Sequence, residues 1–106
     1  MSTPVITVYA TFPADFDVTA LMRALVTERL IACANVLGPM TSVYAWEGEV
    51  QADPEVAVLM KTTEDRTATL IARIDAAHPY AVPCITVWPV SDGLPAYLDW
   101  VTAQTS

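Results

Sequence analysis

The chain has 106 residues, 54% of them hydrophobic and 16% charged, with a formal net charge of −7. Five Lys and Arg against twelve Asp and Glu exclude the basic face that nucleic acid demands and the polybasic patch that anionic membranes attract. The length predicts one domain over residues 1–106, and no apolar run is long enough to cross a bilayer.

Residues Val5 to Thr11 are rich in β-branched side chains and predict a buried strand ended by Pro13. A helix is expected to begin near Asp15 or Asp17, either of which can accept from free backbone N–H groups. Val18, Leu21, Met22, Leu25 and Val26 mark its apolar face. From about Ala32 the pattern is extended, with a kink expected at Gly38-Pro39. Thr41 to Trp46 predicts strand, Glu47-Gly48-Glu49 a hairpin turn, and Glu55 to Thr62 the return arm. Pro54 suggests that part of this arm is an edge or a bulge. Thr62 with Asp65 fits a capping box that opens a second helix, with Leu70, Ile71, Ile74 and Ala77 as its stripe. His78-Pro79 ends that helix. Val82 to Val90 predicts a fourth strand, and Pro95 starts a short last helix.

The order βαββαβ plus a terminal helix is the ferredoxin-like arrangement of an α+β sandwich. It places the first and third strands at the sheet centre and the second and fourth at its edges. Those edges carry Val43, Tyr44, Trp46, Ile85, Val87 and Trp88 and little charge. Uncovered edges invite pairing, and a head-to-tail contact between copies must close into a ring or grow without limit. The low charged fraction, against about 25% in an ordinary domain, also predicts a homo-oligomer. Met1 to Pro4 carry no basic cluster before an apolar stretch, so no signal peptide is expected and the expected compartment is the cytoplasm. In that reducing environment Cys33 and Cys84 are expected as free thiols.

Several segments, in order and spacing, carry a family resemblance. They are Ala32-Cys33-Ala34-Asn35-Val36, Thr41 to Glu49, Lys61-Thr62, His78-Pro79-Tyr80-Ala81-Val82-Pro83, Pro89-Val90 and Tyr97-Leu98-Asp99-Trp100. Together they resemble the divalent-cation-tolerance (CutA) family from Val5 to Thr102. The resemblance implies a compact homotrimer whose long hairpin, Asn35 to Thr62, reaches across to neighbouring copies. It also implies a response to copper or other divalent metal ions, with no established reaction. This chain departs from metal-binding members at Ala10, where some have cysteine, and at Ala77, where some have a second histidine. It also has Cys84 where glutamate is common.

Cys33, His78 and Cys84 are the metal candidates, since thiolate and imidazole suit copper(I) or zinc. None has a local ligand spacing, so such a site requires tertiary or inter-subunit assembly; Cys33 and Cys84 begin opposite edge strands and are expected apart in one subunit but able to approach across a subunit boundary. The same cysteines also read as buried structural thiols, and His78 as a helix C-terminal cap. Lys61, after an apolar strand, and Tyr80, with its hydroxyl, are candidates for binding a small ligand; each also reads as an ordinary solvated or interface side chain. Trp46, Trp88 and Trp100 read as core or interface anchors. Three glycines and one histidine supply neither a phosphate loop nor a Ser-His-Asp set, so no enzyme activity and no required cofactor are expected. The alternative to metal binding is a trimeric ligand-sensing or scaffold module.

Overall fold

The computed structural model describes residues 4–106, so Met1 to Thr3, read above for a leader, lie outside it. The chain runs β1 (Val5–Pro13), α1 (Val18–Thr27), β2 (Cys33–Trp46), β3 (Glu49–Thr63), a 3-10 turn (Glu64–Arg66), α2 (Thr67–Ala77), β4 (Ile85–Pro89) and α3 (Pro95–Gln104). The strands form one antiparallel sheet in the order β2-β3-β1-β4. The edge strands are therefore the expected second and fourth. No helix is long and apolar enough to cross a membrane among the described residues.

Strand alternation divides the chemistry between two faces. Ile6, Val8, Ala10 and Phe12 of β1, with Val58 and Met60 of β3, meet Leu21, Met22 and Leu25 of α1 and Leu70 and Ile74 of α2 in the main core. Each of these side chains larger than alanine contributes about 1.5–3 kcal/mol on burial. The other face carries Thr7, Tyr9, Thr11, Ala57, Leu59 and Lys61. Among the described helices only α3 covers it, at one end, through Val101 packed with Val5 and Ala32.

Asp17 is the N-cap of α1, accepting from the Ala20 N–H at 3.1 Å. The helix ends without a glycine. Arg29 takes the left-handed conformation at φ 62°, the Leu30 N–H bonds the Leu25 carbonyl, and the Arg29 N–H bonds that of Val26. This is a Schellman closure sealed by an apolar pair, Leu25 and Leu30. The Arg29 guanidinium then donates to the Ala103 and Ser106 carbonyls, tying α1 to the end of α3.

Three expectations are corrected. The Thr62–Asp65 capping box does not form: Thr62 is buried and its hydroxyl donates to the Leu30 carbonyl at 2.8 Å. Thr63 bonds Asp65 instead, a 3-10 turn intervenes, and α2 starts at Thr67. The fourth strand is confined to Ile85–Pro89, because β1, its only neighbour, is in register with it from Ala10 to Ile6. At Gly38-Pro39 β2 does not break; it bulges, and pairing resumes from Leu37↔Ala57 to Met40↔Glu55.

That bulge matters because one extra residue reverses which β2 side chains share a face with β3. Beyond it Ser42, Tyr44 and Trp46 lie on the face of Asp53 and Glu55, while Val43 and Ala45 share the opposite face with Ala52 and Val50. β3 also loses its β1 neighbour one residue short of Pro54, at the Pro13↔Glu55 pair, so the proline falls where the sheet has become a two-stranded arm. A Cβ on Gly38 would lie 2.6 Å from Val56 Cγ1 and 3.3 Å from its Cβ. Gly38→Ala is therefore expected to displace Val56 and destabilise the fold by about 1–3 kcal/mol, measured by urea unfolding. An unchanged midpoint would show that the bulge does not depend on this close approach.

Candidate ligand and metal site

His78 caps α2 in extended conformation and is only 8% exposed. Its Nδ1 accepts the Tyr80 backbone N–H at 3.1 Å, so the proton sits on Nε2, which donates to the Thr11 carbonyl at 2.7 Å. The ring stacks on Phe12 at 4.6 Å and lies 5.0 Å from Tyr80. Both nitrogens are thus committed within the subunit, and neither keeps a lone pair for a metal ion. What His78 does is hold the Pro79-Tyr80 turn against β1.

The held turn places Tyr80 at the root of the hairpin, where its hydroxyl donates to Glu55 Oε2 at 3.0 Å. One strand step on, Tyr44 donates to Asp53 Oδ2 at 2.6 Å. Burial, reinforced by the bond to Glu55, pushes the Tyr80 phenol up to about 12. The bond to Asp53 raises Tyr44 as well. Both phenols therefore stay protonated and act as donors at neutral pH. Around them is a cleft of about 630 Å³, lined by Tyr9, Thr11, Trp46, Val82 and Cys84 besides Tyr44, Glu55 and Tyr80. Cys84 is exposed there, and its carbonyl accepts from the Thr11 N–H.

Cys33 and Lys61 lie elsewhere. They are direct partners across β2 and β3, and Lys61 also faces Thr7 of β1. Thr7 is four residues from Thr11, about 13 Å along a strand. Cys33 Sγ is hydrogen-bonded to Tyr97 Oη at 3.3 Å, and burial followed by that bond raises the Tyr97 phenol to about 12. The structure thus joins Tyr80 with Cys84 and Lys61 with Cys33, and separates the two pairs. Among the described residues no group of three or more His, Cys, Asp or Glu could hold a metal ion. The donor set Cys33, His78 and Cys84 does not fit a metal within one subunit.

Sequence reasoning did not find Glu55, Asp53 or Tyr44. The available signal was the Asp53-Pro54-Glu55 spacing, which sets two carboxylates on one strand face. Their tyrosine partners depend on the β2 bulge and on the turn after His78, neither of which a linear pattern displays.

A ferredoxin-like sandwich with a projecting two-stranded arm, and with its polar groups gathered where arm meets sheet, defines a small α+β subunit built around an exposed sheet margin. The chain belongs to the family described as CutA1 divalent ion tolerance protein, whose model matches residues 6–104. It is 42% identical over 98 residues to the divalent-cation tolerance protein CutA of Thermus thermophilus, covering 92% of this chain and 95% of that one. The crystal structure of CutA1 from Oryza sativa superposes with a TM-score of 0.94 at 35% identity, covering 99% of this chain and 96% of that one. A CutA homolog from Xenopus laevis is 37% identical over 88% of this chain, which spans 62% of the frog protein's length.

Proposed function

We propose that this protein acts in divalent-cation tolerance as a homotrimer that binds copper or another divalent ion between subunits. The family match supports the tolerance role. The observation that carries the assembly is the arm: Val43 is 69% and Val50 is 80% exposed on one face of it, continuing the core-facing stripe of β3 past the last helix that could cover it. Large exposed apolar surface of this kind marks an interface. Cys84, exposed just before one edge strand, is the soft donor one subunit offers. Cys33, at the start of the opposite edge strand, is the donor a neighbouring copy would bring in a head-to-tail ring. His78 serves this arrangement as support and not as a ligand. Lys61 and Tyr80 remain candidates for holding a small ligand.

Copper(I) and zinc titrations by calorimetry on demetallated protein, with mass followed by sedimentation, test the reading. Saturable heat is expected for the trimer and a loss of at least about tenfold in affinity for Cys84→Ser and for Cys33→Ser, each still trimeric. A trimer that gives no heat, or variants that bind as tightly as the parent, would refute the inter-subunit thiol site. A monomer would refute the assembly.

A further inference from the structure

The cleft at the root of the arm has a feature that metal tolerance does not account for. Glu55 is only 6% exposed, and its bond from Tyr80 is a neutral phenol's, not a cation's. The Asp53 carboxylate nearby is likewise met by a phenol. No Lys or Arg lines the cleft, and the ion pair found among the described residues, Arg73 with Glu28, lies outside it. A buried carboxylate with no counter-ion is costly, and the cost is relieved when a cation enters.

The walls state which kind of cation. Tyr9, Tyr44, Trp46 and Tyr80 line the space, and aromatic faces attract ammonium and guanidinium groups. The Tyr9 ring is itself fixed by stacking on Trp88 at 5.3 Å. The volume, about 630 Å³, falls within the range of small-molecule sites, roughly 300–1,000 Å³. Oxygen donors alone would suit a hard metal ion, but a bare ion needs neither the aromatic walls nor the room.

We infer that this cleft is a binding site for a small organic cation, an ammonium or guanidinium compound whose charged head meets Glu55 while its apolar remainder lies against the aromatic walls. Hydrogen bonds from Tyr80 and Tyr44 hold the two carboxylates in place, so the site is pre-organised. The inference does not depend on metal binding or on the identity of the metal ligands.

The test uses the full chain in its native assembly, with a chelator present so that metal plays no part. Tyramine, agmatine and choline are titrated while tryptophan fluorescence and heat are followed, with tyrosol as the uncharged counterpart of tyramine. At least one of the three cations is expected to bind. Tyramine is expected to bind at least about tenfold more tightly than tyrosol if it is the one that binds. Glu55→Gln is expected to weaken the bound cation by at least about tenfold. Tyr80→Phe is expected to weaken it less, because the carboxylate stays and only its orienting bond is lost. Absence of binding by all three at millimolar concentration overturns the proposal, as does tyrosol matching tyramine. A neighbouring copy's own Arg or Lys filling the cleft would give the first of these outcomes. Because the comparison of charged with uncharged ligand is made on the unaltered protein, a misfolded Glu55→Gln variant does not remove the test.

Discussion

His78→Ala is expected to lower the unfolding free energy by about 2–4 kcal/mol while leaving copper affinity per folded subunit nearly unchanged. Two hydrogen bonds of about 1 kcal/mol each disappear, and the Thr11 carbonyl and Tyr80 N–H they leave are partly buried or buried. The aromatic stack with Phe12 is lost too, and removing the ring leaves a cavity that adds to the cost. A ligand role predicts the reverse pattern, with affinity lost and stability kept. Urea unfolding and copper calorimetry on the same preparation separate the two. The variant should also weaken any cation bound in the cleft, since the turn that carries Tyr80 to Glu55 loses its anchor. Full stability with abolished copper binding would return His78 to the role its residue type suggested.

That contrast shows where sequence reading reached and where it stopped. β1, α1, its Asp17 cap and the turn at Glu47-Gly48 follow from local pattern (alternation, cap chemistry, β-branched runs), and the edge placement of β2 and β4 from the order of elements. Those features depend on neighbours along the chain. The start of α2 does not. Thr62 has the spacing of a capping residue, but its hydroxyl is taken by the Leu30 carbonyl, 32 residues away, and helix initiation moves to Thr67. His78 was legible as a helix terminator but not as a doubly bonded one, because its partner Thr11 lies in β1. The site suffered most. Cys33 and Cys84 are both real thiols on real edges, yet β3 and β1 stand between their strands. Glu55 in the cleft and Asp53 beside it carry no local signature, because Asp and Glu on an acidic chain read as solvated surface. Only the bulge at Gly38-Pro39 turns Tyr44 toward them.

The same bulge bears on assembly, since it gathers Val43, Ala45, Val50 and Ala52 on one side of the arm. Replacing Val43 and Val50 together by lysine is expected to convert the proposed trimer to monomers at micromolar concentration. If a neighbouring copy covers both, each valine contributes about 1.5–3 kcal/mol on burial, and an unpaired ammonium in its place adds a desolvation cost. A loss of several kcal/mol per subunit is ample to shift an association equilibrium at that concentration. The two positions lie outside the main core, so the sandwich itself should remain folded. Sedimentation reports the mass and circular dichroism the fold. The milder Val43→Thr/Val50→Thr pair keeps the side-chain shape and should retain much of the assembly. The arm is part of the contact only if lysine and threonine differ in this way. A doubly lysine-substituted protein that still sediments as the parent would place the subunit contact elsewhere, on the β4 edge and the uncovered face of the sheet, and leave the exposed valines of the arm facing solvent in the assembled state.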